Sequence, residues 1–296
     1  MTFPKPFELL FDESRGRPLP LPPRLARVYG ALRFPRSASR PWVVGNFAST
    51  LDGVVSLQVP GHSGGGEITG SDPRDRLLMG ILRAAADAVV VGAGTLRAVP
   101  RHLWTAEHVC PSAAKEYAEL RRRLGKPPAP LNVIVTSSGK VDLRLPVFSG
   151  RVPALVVTTS LGARRLSSAR PDRSLRVAAV QPRGPLSARA ILGAVASNDH
   201  PRLVVVEGGP HLIGDFFAEG CLDELFLTLA PQVAGRDRNA ERPGLVAGRT
   251  FAPAQPLWGT LVGIRRGGSH LFLRFAFPTT DRPRNVRPRR AAAPQP

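Results

Sequence analysis

The stretch at residues 203–235, LVVVEGGPHLIGDFFAEGCLDELFLTLAPQVAG, constrains the fold more than any other part of the chain. Its first four residues, Leu203–Val206, form an apolar, valine-rich run that is typical of a buried strand. Glu-Gly-Gly-Pro ends this strand, apolar residues then recur at helical spacing up to Gly220, and residues 223–229 predict another strand. The free N–H groups of a helix that follows such a turn can bind a phosphate. A plain tight turn between strand and helix is the alternative interpretation.

Short apolar runs elsewhere in the chain predict further strands. They lie at residues 42–47, 88–91, 131–136, 154–158, 175–180, 258–264 and 270–277. Helical patterns separate most of these runs, and the last two predict an antiparallel pair. The sequence therefore predicts an α/β fold with a mostly parallel mixed sheet of about nine strands.

Composition divides the chain into three parts. Residues 1–40 are rich in proline and arginine and predict an N-terminal extension, in which 7–11 and 25–32 form short helices. Residues 41–277 hold the α/β domain. Residues 278–296 are charged and proline-rich, which predicts a disordered basic tail.

The net charge of +19 invites a nucleic-acid hypothesis, but the arginines are scattered and no aromatic-plus-basic stripe accompanies them. We therefore expect no nucleic-acid partner, although a basic surface favours a phosphorylated ligand. No apolar stretch approaches the roughly 20 residues that a membrane span needs. Cys110 and Cys221 are the two cysteines, and so few suggest a reducing, cytoplasmic compartment. His102 and His108 lie near one cysteine only, so we expect no metal site.

Three more predicted strands end in loops of small or hydroxylic residues. These loops are residues 48–53 (ASTLDG), 92–95 (GAGT) and 137–140 (SSGK). Ligands of open α/β sheets bind beyond the carboxyl ends of the strands. Glu207 also follows a buried run and precedes two glycines, so its carboxylate needs a partner. Together the four loops predict a binding site for a phosphate-bearing ligand at one edge of the sheet.

The same loops resemble a known family. The matching stretches are STLDG at 49–53, LRAAADAVVVGAGT at 82–95, VIVTSSG at 133–139 and VVVEGGPHLIGDFFAEGCLDELFLTLAP at 204–231. They are similar to the C-terminal reductase domain of the bifunctional riboflavin-biosynthesis deaminase-reductase, a RibD-type pyrimidine reductase, over roughly residues 40–277. The resemblance implies a three-layer dihydrofolate reductase-like fold, NADPH as cofactor, a homodimer and a cis peptide bond between Gly208 and Gly209. The zinc-deaminase patterns H-x-E and P-C-x-x-C do not occur in the sequence.

The resemblance also implies the site residues. NADPH would contact Ala48, Thr50, Gly94, Thr95, Ser137, Ser138, Gly208, Gly209, Pro210, His211, Leu212 and Gly214. The substrate would contact Asn46, Asp52, Arg83, Leu103 and Glu207. Asp52 and Glu207 are the catalytic candidates, Asp52 for proton handling and Glu207 for bonding the pyrimidine or sugar.

Two departures from the family pattern leave the substrate open. Val99 stands where an acid is expected, and Ala106 where an arginine that binds phosphate is expected. We expect reduction of 5-amino-6-(5-phosphoribosylamino)uracil or a close analogue. Reduction of dihydrofolate or another pterin, and an NADPH-binding module without turnover, are the alternatives.

Overall fold

The structure is a computed structural model that describes residues 3–35, 40–59, 64–168, 175–199, 201–237 and 242–279. Its strands are β1 Glu8–Asp12, β2 Arg17–Pro18, β3 Arg33–Phe34, β4 Trp42–Ser49, β5 Ala88–Gly92, β6 Leu131–Thr136, β7 Ala154–Thr159, β8 Arg176–Gln181, β9 Leu203–Val206, β10 Glu224–Leu229, β11 Thr260–Gly267 and β12 His270–Ala276. Its helices are α1 Pro23–Tyr29, α2 Gly65–Thr69, α3 Pro73–Ala85, α4 Ala93–Ala98, α5 Ala106–Val109, α6 Ala114–Arg123, α7 Ser160–Ser168, α8 Ala188–Asp199 and α9 Pro210–Ala218. Short 3-10 helices lie at Pro111–Ala113 and Pro146–Phe148.

Ten strands form one mixed sheet in the order β1-β11-β12-β10-β4-β9-β5-β6-β7-β8. The seven strands from β10 to β8 run parallel, whereas β12, β11 and β1 join this block through antiparallel pairs. All nine strands predicted from the sequence are present, including the C-terminal antiparallel pair. The strands β2 and β3 form a separate two-stranded sheet.

Helices cover both faces of the parallel block, so the fold has three layers. Alternate strand residues point to opposite faces, and in β9 Val205 joins the core beneath α3 and α6 while Val204 joins the core beneath α8 and α9. The predicted α/β layered fold is thereby confirmed. No helix in the described part of the chain is both long enough and apolar enough to cross a membrane.

The N-terminal segment belongs to the same sheet and core. The helix predicted at residues 7–11 is wrong, because β1 pairs with β11 as an edge strand of the large sheet. The local pattern could not show a partner strand that lies some 250 residues later. The helix predicted near residue 25 is confirmed as α1, and its Leu25, Val28 and Tyr29 are buried in the main core. From residue 280 onwards, the tail predicted to be disordered lies outside the described residues.

Helix α3 is fixed at both ends, and this positions Arg83, a candidate site residue, in its last turn. Asp72 caps the helix by accepting hydrogen bonds from the backbone N–H groups of Arg74 and Asp75. At the other end the buried Arg121 guanidinium donates to three carbonyls, including that of Arg83 at 3.3 Å. The C-terminal carbonyls of a helix lack partners within the helix, so this capping holds the turn that carries Arg83.

The double-glycine turn after β9 has the predicted strand-turn-helix form. A Cβ atom on Gly208 would lie 2.3 Å from Cδ2 of Leu212 and 3.1 Å from the backbone nitrogen of Gly92, so a larger residue does not fit there. The implied cis bond between Gly208 and Gly209 is wrong for this structure. Among the described residues the cis peptide bond is Ala252–Pro253.

Candidate active site

The four predicted loops meet at the carboxyl edge of the parallel block. β9 lies between β4 and β5, with Val206 in register with Gly45 on one side and with Val90 on the other. The residues that follow these positions, Asn46 in β4 and Glu207 after β9, therefore lie side by side. The sheet thus brings substrate candidates from two separate parts of the chain together.

Glu207 is held by a buried ion pair. Arg83 donates to its Oε2 through Nε at 3.0 Å and through Nη2 at 2.7 Å. The side chains of Arg83 and Glu207 are only 2% and 6% exposed. Asn46 donates from Nδ2 to the other oxygen, Oε1, at 3.1 Å. A carboxylate oxygen can accept more than one hydrogen bond, so Oε1 keeps acceptor capacity for a ligand.

The guanidinium nitrogens of Arg83 contact other groups of the protein. Its Nη1 contacts Nε2 of His102 at 2.9 Å and donates to the carbonyl oxygen of Thr105 at 3.2 Å. The predicted substrate residue Leu103 takes part through its carbonyl oxygen, at 3.4 Å from the same nitrogen. Arg83 therefore fixes and neutralises Glu207, and its direct contact with substrate stays a prediction.

His102 is a residue whose role the sequence did not reveal. Because Arg83 can only donate, Nε2 of His102 must accept, so the imidazole is neutral with its proton on Nδ1. Burial, and after it the Arg83 charge, lower the pKa of His102 to about 2. In the sequence, His102 drew attention only as a possible metal ligand together with His108, and no metal site was expected there. Within the described residues no group of three or more metal-ligating side chains is found.

Asp52 shapes the loop after β4. It accepts hydrogen bonds from the Thr50 hydroxyl at 2.5 Å, the Ala234 N–H at 3.0 Å and the Gly235 N–H at 2.8 Å. The Thr50 hydroxyl is the largest cause that lowers the pKa of Asp52 to about 2. The carboxylate is therefore ionised at neutral pH and already occupied. This geometry suits a group that ties residues 234–235 to β4, and it does not favour the predicted proton donor.

Two glycine-bearing loops face each other across a narrow gap. A Cβ atom on Gly209 would lie 3.6 Å from Oγ1 of Thr95, and the backbone of Gly94 beside Thr95 is exposed. Gly208 contacts the start of the same loop at Gly92, as described above. The structure thus brings Gly94, Thr95, Gly208 and Gly209 together, and it leaves a hydroxyl and open backbone at the gap.

The loop after β6 is a rigid turn beside a basic cavity. The Ser137 carbonyl accepts from the Thr159 hydroxyl at 2.8 Å, and the Ser138 carbonyl accepts from Arg165 at 2.6 Å. The next residue but one, Lys140, lines a cavity of about 500 Å³ together with Arg97 of α4. Both Arg97 and Lys140 lack a side-chain partner within the described residues. Two unpaired cations therefore stand beside Ser137 and Ser138, the serines that the resemblance implies as cofactor contacts.

The remaining cofactor candidates lie along the first turns of α9 and at the end of β4. His211 is exposed, Leu212 is buried against Gly208, and Ala48 is half-buried. Gly214 is also buried, because a Cβ atom there would lie 3.1 Å from Cγ1 of Val246 and 3.2 Å from the Ala247 oxygen. Pro210 is tied to the same segment, since its carbonyl accepts from the Ala247 N–H at 3.2 Å. Gly214 therefore packs against the chain itself and does not open onto the gap.

Comparison with known proteins identifies the family. The family model described as the RibD C-terminal domain matches residues 41–255, which is more than half of the chain. The chain belongs to this family. A relative from Archaeoglobus fulgidus, 2,5-diamino-6-ribosylamino-4(3H)-pyrimidinone 5′-phosphate reductase, is 28% identical over 199 residues, which cover 67% of this chain and 84% of the relative.

Solved structures agree with this RibD-type fold. A pyrimidine reductase-like protein from Corynebacterium diphtheriae has a TM-score of 0.63 at 20% identity, covering 86% of this chain and 98% of that one. RibD from Acinetobacter baumannii has a TM-score of 0.60 at 21% identity and covers 86% of this chain. This chain spans only 60% of that RibD chain. The riboflavin-biosynthesis reductase Rib7 of Saccharomyces cerevisiae scores 0.55 at 17% identity, covering 81% of this chain and 91% of that one.

Proposed function

We propose that this chain is an NADPH-dependent reductase of a phosphorylated ribosylamino-pyrimidine. The observation that carries the proposal is the adjacency of two unlike sites at β9. Glu207 lies on the α3 side of the sheet, bonded to Arg83 and Asn46, whereas the next residue, Gly208, packs toward Leu212 of α9 and Gly92. A carboxylate for the substrate and a phosphate-type loop for the cofactor are therefore one residue apart.

The residues at the glycine loops fit a dinucleotide. A pyrophosphate needs close access to backbone N–H groups and hydroxyls, and glycines without Cβ atoms provide that access. Gly94, Thr95, Gly208 and Gly209 supply this surface, and the first turn of α9 adds the positive end of its dipole. Ser137 and Ser138 then lie along the adenosine end of the cofactor, and Ala48 borders its nicotinamide. Thr50, the other nicotinamide candidate, is fully buried, and its hydroxyl donates to Asp52. When bound, NADPH supplies the hydride for the reduction.

A preference for NADPH over NADH follows from charge. The 2′-phosphate is the group that distinguishes the two cofactors, and Arg97 and Lys140 stand unpaired beside Ser138. A phosphate that meets two cations gains charge-assisted hydrogen bonds, which are about twice as strong as neutral ones.

The substrate end of the site is built from Glu207 and Asn46. A pyrimidine of this class presents ring N–H and amino groups, which are donors for the free acceptor capacity of Glu207 Oε1. The side-chain oxygen of Asn46 is a second acceptor beside it. Arg83 and His102 keep the carboxylate in one orientation, so the pyrimidine binds in a fixed register relative to the glycine loops.

The reaction needs positioning more than acid catalysis. The sugar amine opens to an imine, its C1′ accepts the hydride, and the imine nitrogen takes a proton to give the ribitylamine. The pKa values of Asp52 and His102 lie at about 2, so neither is a suitable proton donor at neutral pH. We therefore assign Asp52 to loop positioning and the proton to solvent.

The decisive experiment measures the loss of NADPH absorbance with three substrates in parallel. These are 5-amino-6-(5-phosphoribosylamino)uracil, the 2,5-diamino-pyrimidinone phosphate named for the Archaeoglobus relative, and dihydrofolate. We expect turnover with one or both pyrimidine phosphates and none with dihydrofolate. Turnover with dihydrofolate alone would replace the substrate assignment, and NADPH binding without any turnover would reduce the protein to a binding module.

A further inference from the structure

Two histidines meet at the outer end of the Arg83–Glu207 contact. The rings of His102 and His108 lie edge to face, with their centroids 4.5 Å apart and an angle of 85° between the ring planes. His102 is half-buried and contacts Arg83, whereas His108 lies in α5 and is exposed. We call His102 and His108 the histidine pair. It extends the contacts that start at Glu207 as far as the protein surface.

The contact with Arg83 leaves one nitrogen of His102 as a free donor. Because Nε2 accepts from Arg83, the proton of the neutral imidazole is on Nδ1. In the part of the chain that the structure describes, Nδ1 has no hydrogen-bond partner, and it is not one of the enclosed side-chain atoms that lack a partner. This N–H is therefore open to solvent, and a ligand can accept a hydrogen bond from it.

His108 supplies a second free donor beside the first. Its imidazole touches the ring of His102 but has no hydrogen bond or ion pair with any residue that the structure describes. The backbone N–H of His108 donates to the hydroxyl of Thr105, the residue that caps α5, at 3.4 Å. This cap fixes the short helix, so the exposed ring of His108 is held against His102. The histidine pair thus offers two donors at one place.

The surroundings of the histidine pair are electropositive. Burial and then the charge of Arg83 lower the pKa of His108, while Glu107 has a smaller, opposite effect. For His102, burial is the largest cause, and the charges of Arg83, His108 and Arg76 also lower its pKa. Arg83 therefore keeps a positive potential here although it is paired with a carboxylate. Such a potential favours an anion as the ligand of these two donors and disfavours a metal cation.

We propose that the histidine pair binds the phosphate group of the substrate. The proposal rests on the proposed function, in which Glu207 holds the pyrimidine ring. A phosphate monoester carries a charge of about −1.5 to −2 at pH 7 and three strong acceptor oxygens, so both imidazoles can donate to it at once. A bound phosphate also stabilises the charged form of the His108 imidazole, and the hydrogen bond then becomes charge-assisted.

The ion pair fixes the two ends of the substrate relative to each other. Arg83 lies between them, at 2.7 Å from Oε2 of Glu207 and 2.9 Å from Nε2 of His102. In a ribosylamino-pyrimidine phosphate the sugar separates the ring from the phosphate, so the two groups need separate partners along one wall of the site. The cations proposed for the cofactor, Arg97 and Lys140, line a cavity beside α4 that the histidine pair does not line. The phosphates of cofactor and substrate therefore have different partners.

A titration with ribose 5-phosphate tests the histidine pair without any turnover. Proton–carbon NMR spectra resolve the Cε1–H signals of the imidazoles, and the signal that is lost in His108→Ala identifies His108. We expect ribose 5-phosphate to shift this signal at constant pH and ionic strength, whereas ribose leaves it unchanged. A His108 signal that does not respond to ribose 5-phosphate would overturn the proposal.

Steady-state kinetics then assign the histidine pair to the substrate phosphate. His108→Ala should raise KM for the phosphorylated pyrimidine about tenfold, the loss expected for one charged hydrogen bond, and leave kcat within about twofold. KM for the same pyrimidine without its phosphate should not change. His108→Lys restores a cation and should recover a large part of the affinity. His102 is left in place, because its removal would also release Arg83.

Lys115→Ala is the matched control, because Lys115 is an exposed cation of the neighbouring helix α6 with no ion pair among the residues that the structure describes. This variant should change neither KM value. An equal rise of KM for both pyrimidines in His108→Ala would show a structural effect and would also overturn the proposal. A chain that reduces no pyrimidine would refute the proposed function, and the ribose 5-phosphate titration would still decide whether the histidine pair binds phosphate.

Discussion

Two buried arginine–glutamate pairs occupy different regions of this molecule, and they differ in what they leave open. Arg274 donates hydrogen bonds to Oε2 of Glu224 from Nε at 2.9 Å and from Nη2 at 2.7 Å. Arg83 donates to Oε2 of Glu207 from the same two nitrogens. Around Arg274 the space is closed by Phe34 and Phe226, whose ring centroids lie 5.1 and 4.9 Å from the guanidinium carbon. Around Arg83 the neighbours are polar, namely His102 and two carbonyls.

Position in the sheet explains this difference. Glu224 is the first residue of β10, whereas Glu207 follows the last residue of β9, at the edge where ligands of parallel sheets bind. A buried ion pair alone is therefore no sign of an active site. Three features together indicate a binding site: the carboxylate is fixed by protein groups, it can still accept a hydrogen bond from a ligand, and it lies at the carboxyl edge of the strands.

Removing the cation from the Arg274–Glu224 pair should cause the largest change that we predict, a loss of unfolding free energy. Arg274→Met leaves Glu224 as an unpaired charge that is 5% exposed, and such losses cost about 3–5 kcal/mol of unfolding free energy. Urea unfolding followed by circular dichroism measures this loss. The double variant Arg274→Met with Glu224→Gln removes the orphaned charge and should recover a large part of it. Equal stability of the single and double variants would show that the orphaned charge of Glu224 is not the source of the loss.

A third buried carboxyl, Asp75, extends the comparison because it has hydroxyl partners and no arginine. It accepts from Thr228 at 2.7 Å and from Thr69 at 3.3 Å, with Asp72 and His270 nearby. Burial is the largest cause that raises its pKa from 3.8 to about 6.

A raised pKa means that the folded state binds the proton more tightly than the unfolded state. Asp75 therefore stabilises the fold fully below about pH 4, and that contribution falls as the pH rises through about 6. The shift is equivalent to about 3 kcal/mol at most. Asp75→Asn should remove this part of the pH dependence, as measured by urea unfolding between those two pH values. Parallel pH profiles for wild type and variant would show that Asp75 does not titrate in this range.

The pair proposed for the active site, Arg83 and Glu207, should respond in turnover as well as in stability, because it is as buried as the Glu224 pair. Glu207→Gln keeps the shape but removes the charged acceptor, and a charged hydrogen bond contributes about 1.5–3 kcal/mol. We expect turnover of the pyrimidine substrate to fall by roughly 10- to 150-fold while NADPH affinity stays unchanged. Glu224→Gln is the matched control, because it should lower stability and leave the turnover of the folded enzyme intact. A Glu207→Gln enzyme with normal turnover would remove Glu207 from the substrate site.

Local patterns in the sequence predicted one half of this site and missed the other. The apolar run, the two glycines and the helix after β9 are neighbours in sequence, so they were predictable, as was the need of Glu207 for a partner. The partners themselves, Arg83 and Asn46, lie 124 and 161 residues away, and only the resemblance pointed to them. The roles of His102 and β1 were not predicted for the same reason, because each depends on a contact that only the folded chain makes.

The smallest effect is expected where charges are exposed, at the cavity beside the loop after β6. Arg97 and Lys140 are unpaired there among the described residues, whereas Arg144, which lines the same cavity, is bound through two nitrogens to Asp142 at 2.9 Å. If these two unpaired cations contact the 2′-phosphate, replacing both by alanine should weaken NADPH binding by about tenfold. Exposed charge contacts contribute up to about 1 kcal/mol each. NADH affinity should not change, because NADH lacks that phosphate. Arg144→Ala is the control and should leave both affinities as they are. Calorimetric titration with the two nucleotides separates these outcomes, and equal losses for NADPH and NADH would mean that Arg97 and Lys140 hold the loop rather than the phosphate.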